Sequence, residues 1–110
     1  MSHEQEPSKA QVEWTLGGIL RRIASGALLP RPGLGELVAA YHAAPQSEAK
    51  RFVGEEYGIA LLVSCFYSYD DLEERPAEVS FEGQYGLRAK ELLDVEVVRL
   101  ATDWLQERGA

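Results

Sequence analysis

Residues 59–67 of this 110-residue chain read IALLVSCFY, the longest apolar run in the sequence. A run of this length fits either a buried helix or an interior strand, because periodicity alone does not separate the two. One alanine, two leucines and the helix-compatible acidic residues on both sides, Glu55-Glu56 and Asp71 to Glu74, favour the helix. We therefore predict a central buried helix that is capped at Ser47, passes through Tyr57 and continues into the apolar run.

The N-terminal part of the chain carries a clear helical pattern. Ser8 followed by Gln11 has the spacing of a capping box and Gly26 marks an end, which predicts a first helix over Lys9 to Ser25. Apolar residues recur along it at helical spacing: Val12, Leu16, Ile19, Leu20 and Ile23. The pair Gly17-Gly18 costs on the order of 1 kcal/mol per residue against alanine, so we expect it to let a neighbouring helix approach closely.

Prolines separate the elements that follow. Pro30 and Pro32 end the first helix and introduce a second, which ends before Pro45. Its apolar positions are Leu34, Leu37, Val38 and Tyr41. The segment from Pro76 to Gly86 mixes apolar residues with glycine, which predicts an ordered loop or a short hairpin.

The C-terminal residues predict further helices. Leu87 to Leu93 has the pattern of a short helix, and Asp94 is expected to cap a final one. One face of that last helix is apolar: Val97, Val98, Ala101, Trp104 and Leu105. The predicted fold is therefore mainly α, a compact bundle of four to five helices in a single domain over residues 1–110, with residues 1–7 disordered.

Length and cysteine content limit the kinds of protein to consider. A chain of 110 residues has room for one hydrophobic core. Cys65 is the only cysteine, so no intramolecular disulfide forms, which suits a reducing cytoplasm. Met1 to Pro7 lacks the features of a signal peptide, and the run at 59–67 is too short to span a bilayer. We expect a cytoplasmic protein without a membrane segment.

The net charge of −7 is concentrated in the second half of the chain. Residues 1–51 carry six basic and five acidic side chains, a net of +1, whereas residues 52–110 carry five and thirteen, a net of −8. Along residues 55–82, Arg75 is the one basic side chain against eight acidic ones. Such a surface repels phosphate backbones and attracts cationic proteins, so the charge argues against nucleic-acid binding.

Catalytic and metal-binding motifs receive little support from the residues. His3 and His42 are the only histidines, and they do not make a triad or a metal cage. On one continuous helix, Glu55 and Asp70 would lie ~22 Å apart, too far for a shared carboxylate or metal site. The sequence therefore predicts no catalytic residue, no metal ligand and no cofactor.

Aromatic residues beside the acidic ones indicate a binding surface. Tyrosine is enriched at binding hot spots, and acidic rims attract cationic partners at high rates. We therefore predict a surface for a basic protein partner, although the charged run is equally typical of a solvated helix end. The predicted partner-binding residues are Tyr67, Tyr69, Asp70, Asp71, Glu73 and Glu74.

Three segments resemble the small acidic helical immunity proteins that bacteria make against colicin-type toxins. The residues are Ile23-Ala24-Ser25-Gly26 before a second helix, Tyr69-Asp70-Asp71-Leu72, and Leu93 to Val98 leading into Trp104-Leu105. The resemblance implies that the six predicted residues bind and block a basic nuclease. The segment from Pro76 to Gly86 has no counterpart in that pattern.

Three functional hypotheses follow. The first is an acidic protein-binding module, of the immunity or inhibitor kind, that neutralises a basic toxin or nuclease. An alternative is a homo-oligomeric accessory or structural subunit whose tyrosine and tryptophan side chains form the interface. The least favoured is a small enzyme that uses carboxylates and a divalent metal.

Overall fold

The computed structural model describes residues 9–43 and 57–109. Within them lie four helices and one hairpin, so the predicted mainly α bundle is confirmed. The helices are α1 (Lys9–Ser25), α2 (Pro30–Ala43), α3 (Ala60–Glu74) and α4 (Gly86–Glu107), and the strands are β1 (Ser80–Phe81) and β2 (Gln84–Tyr85). The predicted disorder of residues 1–7 falls outside the described residues.

The four helices pack as an antiparallel bundle. Helix α1 packs against α2 and α4, and α3 packs against the same two helices, so α1 and α3 occupy diagonal corners. Buried leucines from all four helices fill the centre, among them Leu16, Leu37, Leu62 and Leu93, each at most 2% exposed. This arrangement turns the remaining faces of α1 and α3 towards opposite sides of the molecule.

Gly17 explains how closely α1 and α4 approach. A Cβ atom at Gly17 would lie 3.3 Å from the ring of Trp104, tighter than most contacts of that kind. The Trp104 indole donates a hydrogen bond of 2.9 Å to the carbonyl of Tyr57, which fixes the ring across the helix interface. The expected role of a glycine in close helix packing is therefore confirmed for Gly17.

Helix α3 begins later than the sequence predicts. It starts at Ala60, and Gly58 just before it has a φ of +73°, a left-handed conformation that interrupts a helix. The prediction of one continuous helix through Tyr57 is therefore wrong. Residues 47–56 of that predicted helix, with the cap at Ser47, lie outside the described residues.

Helix α4 is a single helix of 22 residues, so the predicted break before Asp94 is also wrong. Asp94 lies in the middle of the helix, where its carboxylate accepts a hydrogen bond from the hydroxyl of Tyr69 on α3. Asp94, which the sequence predicted to cap a helix, instead links α3 and α4 through this hydrogen bond.

The segment before α4 is the short hairpin that the sequence allowed. Ser80 pairs with Tyr85 and Phe81 with Gln84, which leaves a two-residue loop of Glu82 and Gly83. Both loop residues have positive φ, 51° and 78°, as the type I′ turn of a tight hairpin requires.

Candidate protein-binding site

The exposed side of α3 presents an aromatic residue in line with two carboxylates. A helix turns by about 100° per residue, so positions 67, 71 and 74 share one face. Tyr67 is 48% exposed, its ring packs edge-on against Phe66 at 5.4 Å, and Asp71 and Glu74 are exposed one and two turns further along. We call Tyr67, Asp71 and Glu74 the acidic outer face.

Two other predicted site residues, Asp70 and Glu73, point towards α2. Arg31 at the start of α2 contacts both carboxylates, with N–O distances of 2.6 Å to Asp70 and 3.3 Å to Glu73. Lys90 of α4 lies 3.3 Å from the other oxygen of Glu73. The hydrogen bond from Arg31 holds the pKa of Glu73 below its ordinary value. These carboxylates therefore join α2, α3 and α4, and most of their charge is compensated within the molecule.

Tyr69 does not belong to the surface. Its side chain is 1% exposed, its hydroxyl donates a hydrogen bond to Asp94, and the guanidinium of Arg31 lies 5.5 Å from the ring centre. Burial and the bond to Asp94 raise the pKa of Tyr69 above its ordinary value. Tyr69, which the sequence predicted to contact a partner, is instead a hydrogen-bonded core residue.

The negative charge of Asp70 to Glu74 is compensated by more basic side chains than the sequence indicates. Arg75 is not its only compensation, because Arg31 and Lys90 approach it from other helices. Arg75 itself lies 3.8 Å from Asp71, a weak exposed pair. Glu74 makes no hydrogen bond or ion pair within the described part of the chain. The charge that remains open to a partner is therefore centred on Glu74 and Asp71.

A second unusual surface, on α1, was not identified from the sequence. Trp14 is 82% exposed, the highest value among the large apolar side chains of the described residues. It borders an open cavity of about 310 Å³ between α1 and α4, together with Gly17, Arg21, Trp104 and Arg108. The sequence could have shown that Trp14 is exposed, because it does not share the helical face of the apolar residues that begin at Val12.

Two features of the described residues bear on catalysis: a buried thiol and the placement of the potential metal ligands. Burial raises the pKa of the Cys65 thiol to about 11, so it is protonated and unreactive at neutral pH. Within residues 9–43 and 57–109, no group of three or more His, Cys, Asp or Glu side chains is placed to hold a metal ion. Glu55, considered with Asp70 for such a site, lies outside the described residues.

The fold defines a mainly α bundle with a surface hairpin, and comparison with known proteins adds no narrower class. No protein-family model, no curated protein and no solved structure matches the chain. None of the described helices has the length and apolar character needed to cross a membrane. The geometry of the acidic outer face is therefore the basis for a functional proposal.

Proposed function

We propose that the chain is an acidic protein-binding module whose acidic outer face docks onto a basic protein. One observation supports this most strongly: Tyr67 is half-exposed on the same helical face as two carboxylates, one of which has no partner among residues 9–43 and 57–109. A tyrosine flanked by acidic residues supplies an apolar contact with a polar tip, surrounded by charge that attracts a cationic partner. The helix holds these groups on one face before the partner binds.

Electrostatics favour a partner of the opposite charge. The chain carries −7, and the turn and hairpin that follow α3 add the exposed carboxylates of Glu78 and Glu82. Such a field raises the association rate of a cationic protein by about 10-fold to 10³-fold, and salt screens it. The face therefore suits rapid, salt-sensitive capture.

Within this class, we propose an inhibitor of the immunity kind that neutralises a basic toxin or nuclease. A nuclease binds the phosphates of its substrate through cationic residues, and an acidic helical face with a tyrosine can cover that same surface. The segments that resemble colicin-type immunity proteins support this choice. The free thiol of Cys65 suits the cytoplasm, where such an inhibitor would meet the toxin.

The test compares two variants that lose the same charge and the same aromatic residue. The first, Tyr67→Ala/Asp71→Asn/Glu74→Gln, alters the acidic outer face. The control, Tyr85→Ala/Glu91→Gln/Glu107→Gln, alters an exposed tyrosine and two exposed carboxylates elsewhere. Both have the same net charge, so a difference between them reports the position of the groups and not the total charge.

The measurement is affinity capture from an extract of the native cell, followed by binding kinetics with the purified partner. We expect the wild type and the control to capture the same basic protein, and the first variant to bind it at least about tenfold more weakly. Added salt should slow association more than it speeds dissociation. If the two variants bind alike, the acidic outer face does not form the contact and the proposal fails.

A further inference from the structure

Three residues on the exposed side of α1 have no explanation within the single chain. Trp14, Gly18 and Arg21 are spaced by four and three residues, so they lie along one helical face. Tryptophan and arginine are both enriched at interface hot spots. We call these three residues the α1 face.

Gly18 is the first argument. Gly17 is required by the packing of Trp104, but a Cβ atom at Gly18 would meet no atom within 4 Å. A glycine in the middle of a helix destabilises it, and the fold offers no compensating contact here. The missing side chain instead leaves a shallow place where the backbone of another helix can approach α1.

Arg21 and Trp14 supply the second argument. The neighbouring Arg22 is paired with Glu36 at 3.0 Å, whereas Arg21 makes no hydrogen bond or ion pair within the described part of the chain. The Trp14 ring is open to solvent beside the cavity between α1 and α4. A guanidinium and an indole are complementary surfaces, because the cation is attracted to the face of the ring.

We infer that the α1 face is the interface of a homodimer in which two copies of α1 cross in antiparallel orientation near Gly18. Trp14 lies four residues before Gly18 and Arg21 lies three residues after it. A two-fold axis near Gly18 therefore places Trp14 of each copy opposite Arg21 of the other. The two glycines meet at the centre, where the backbones come closest.

Self-complementarity is the reason to choose a second copy as the occupant. In a two-fold interface one patch must carry both halves of every contact, and the α1 face carries a ring, a cation and a central gap. Charge agrees with this choice, because α1 carries three basic side chains against one acidic side chain, whereas α3 carries four acidic side chains and no basic one. Two copies therefore repel each other less when they meet through α1 than when they meet through α3.

The dimer does not depend on the proposed partner. Helix α3 lies diagonally across the bundle from α1, so the acidic outer face stays exposed in both copies. Loss of the dimer and loss of partner binding are therefore separate experimental results.

The test is sedimentation equilibrium of the full chain from micromolar to millimolar concentration, with Trp14→Ala, Gly18→Leu and the control Leu87→Ala. Leu87 is 79% exposed and lies on α4, away from the α1 face. We expect a dimer mass for the wild type and the control. Trp14→Ala and Gly18→Leu should each raise the dissociation constant at least tenfold.

Gly18→Leu gives a result that a general loss of stability cannot imitate. Leucine favours a helix more than glycine and meets no atom at this position, so the isolated subunit should unfold at a higher temperature while the dimer weakens. A wild type that is monomeric throughout the range overturns the inference. A dimer that Gly18→Leu leaves unchanged also overturns it, because the two helices would then not cross near Gly18.

Discussion

Tyr67 and Tyr69 show how strongly a single position determines the role of a side chain. The two tyrosines are two residues apart on α3, so they point about 200° apart around the helix axis. Tyr67 reaches solvent, whereas Tyr69 enters the core and donates to Asp94. Their position beside acidic residues made both tyrosines candidates for the binding surface. Only the packing of α3 against α4 assigns them different roles.

The hydroxyl of Tyr69 should make stability depend on alkaline pH. Its pKa in the folded protein is raised, while the unfolded tyrosine ionises near its ordinary value of about 10. The unfolded state therefore releases its proton first, and the stability present below pH 10 is lost as pH rises above it. We expect Tyr69→Phe to cost about 1 kcal/mol at pH 7 and to flatten the loss above pH 10.

Urea unfolding at pH 7, 9 and 10.5 measures this effect. Cys65 contributes in the same direction, because its pKa is raised to about 11 and its share of stability is lost as pH rises from about 9. The variant Cys65→Ala is therefore the control, and it should keep the part of the decline that begins near pH 10. If Tyr69→Phe and the wild type decline in parallel, the phenol is not the group that titrates.

The sequence predicted helix boundaries correctly where residues close in sequence determine them. The capping-box spacing and Gly26, which has a φ of +85°, gave the bounds of α1 as the structure has them. Two predictions were wrong, the start of α3 and the break before Asp94, and in each case one residue has a role that its local sequence does not reveal. Gly58 lies inside the predicted helix but has a left-handed backbone, and Asp94 was predicted to cap a helix but makes a contact between helices.

The candidate site was predictable only in part for a related reason. The tyrosine and acidic residues of α3 are visible in the sequence, but their compensation comes from Arg31, 39 residues away from Asp70. No local pattern announces a contact across that separation, because it depends on how α2 packs on α3. The exposed position of Trp14, by contrast, could have been read from its place outside the apolar stripe of α1.

The hairpin contains one residue that its turn does not favour. Glu82 has a φ of 51°, a conformation that glycine, asparagine and aspartate adopt more easily than glutamate. We expect Glu82→Asn to raise the free energy of unfolding by about 0.5 to 1 kcal/mol, since Asn-Gly is the preferred pair for this turn.

Thermal unfolding of Glu82→Asn beside Glu82→Gln separates the backbone effect from the charge. Both substitutions remove one negative charge, but glutamine keeps a side chain that the left-handed conformation disfavours. Only the asparagine variant should gain stability. Equal gains in both would show that charge repulsion, and not the turn, is what limits the hairpin.

The bundle as a whole separates its two candidate surfaces. Helices α1 and α3 stand at diagonal corners, so the α1 face and the acidic outer face point away from each other. The charge of the two helices differs in the same way, since α1 carries three basic side chains and one acidic side chain and α3 carries four acidic side chains alone. One side is thus suited to a second copy of the chain and the other to a basic partner.

If both proposals hold, the assembly with its partner should contain two copies of each protein. The dimer brings the α1 faces together and turns its two acidic outer faces outwards in opposite directions. Light scattering should give the mass of a two-to-two complex for the wild type and of a one-to-one complex for Trp14→Ala. The affinity of each acidic outer face for the partner should be the same in both, because Trp14 is on the opposite side.

Because the two acidic outer faces of the dimer point in opposite directions, we expect no avidity when the dimer binds partner molecules on a flat surface. Linked sites bind more tightly by about 10²-fold or more only when geometry lets both engage at once. On a sensor densely coated with the partner, the wild type and Trp14→Ala should therefore dissociate at rates within about twofold of each other. A wild-type dimer that dissociates far more slowly on a dense coating than on a sparse one would place both acidic faces on the same side, and the antiparallel contact through α1 would have to be abandoned.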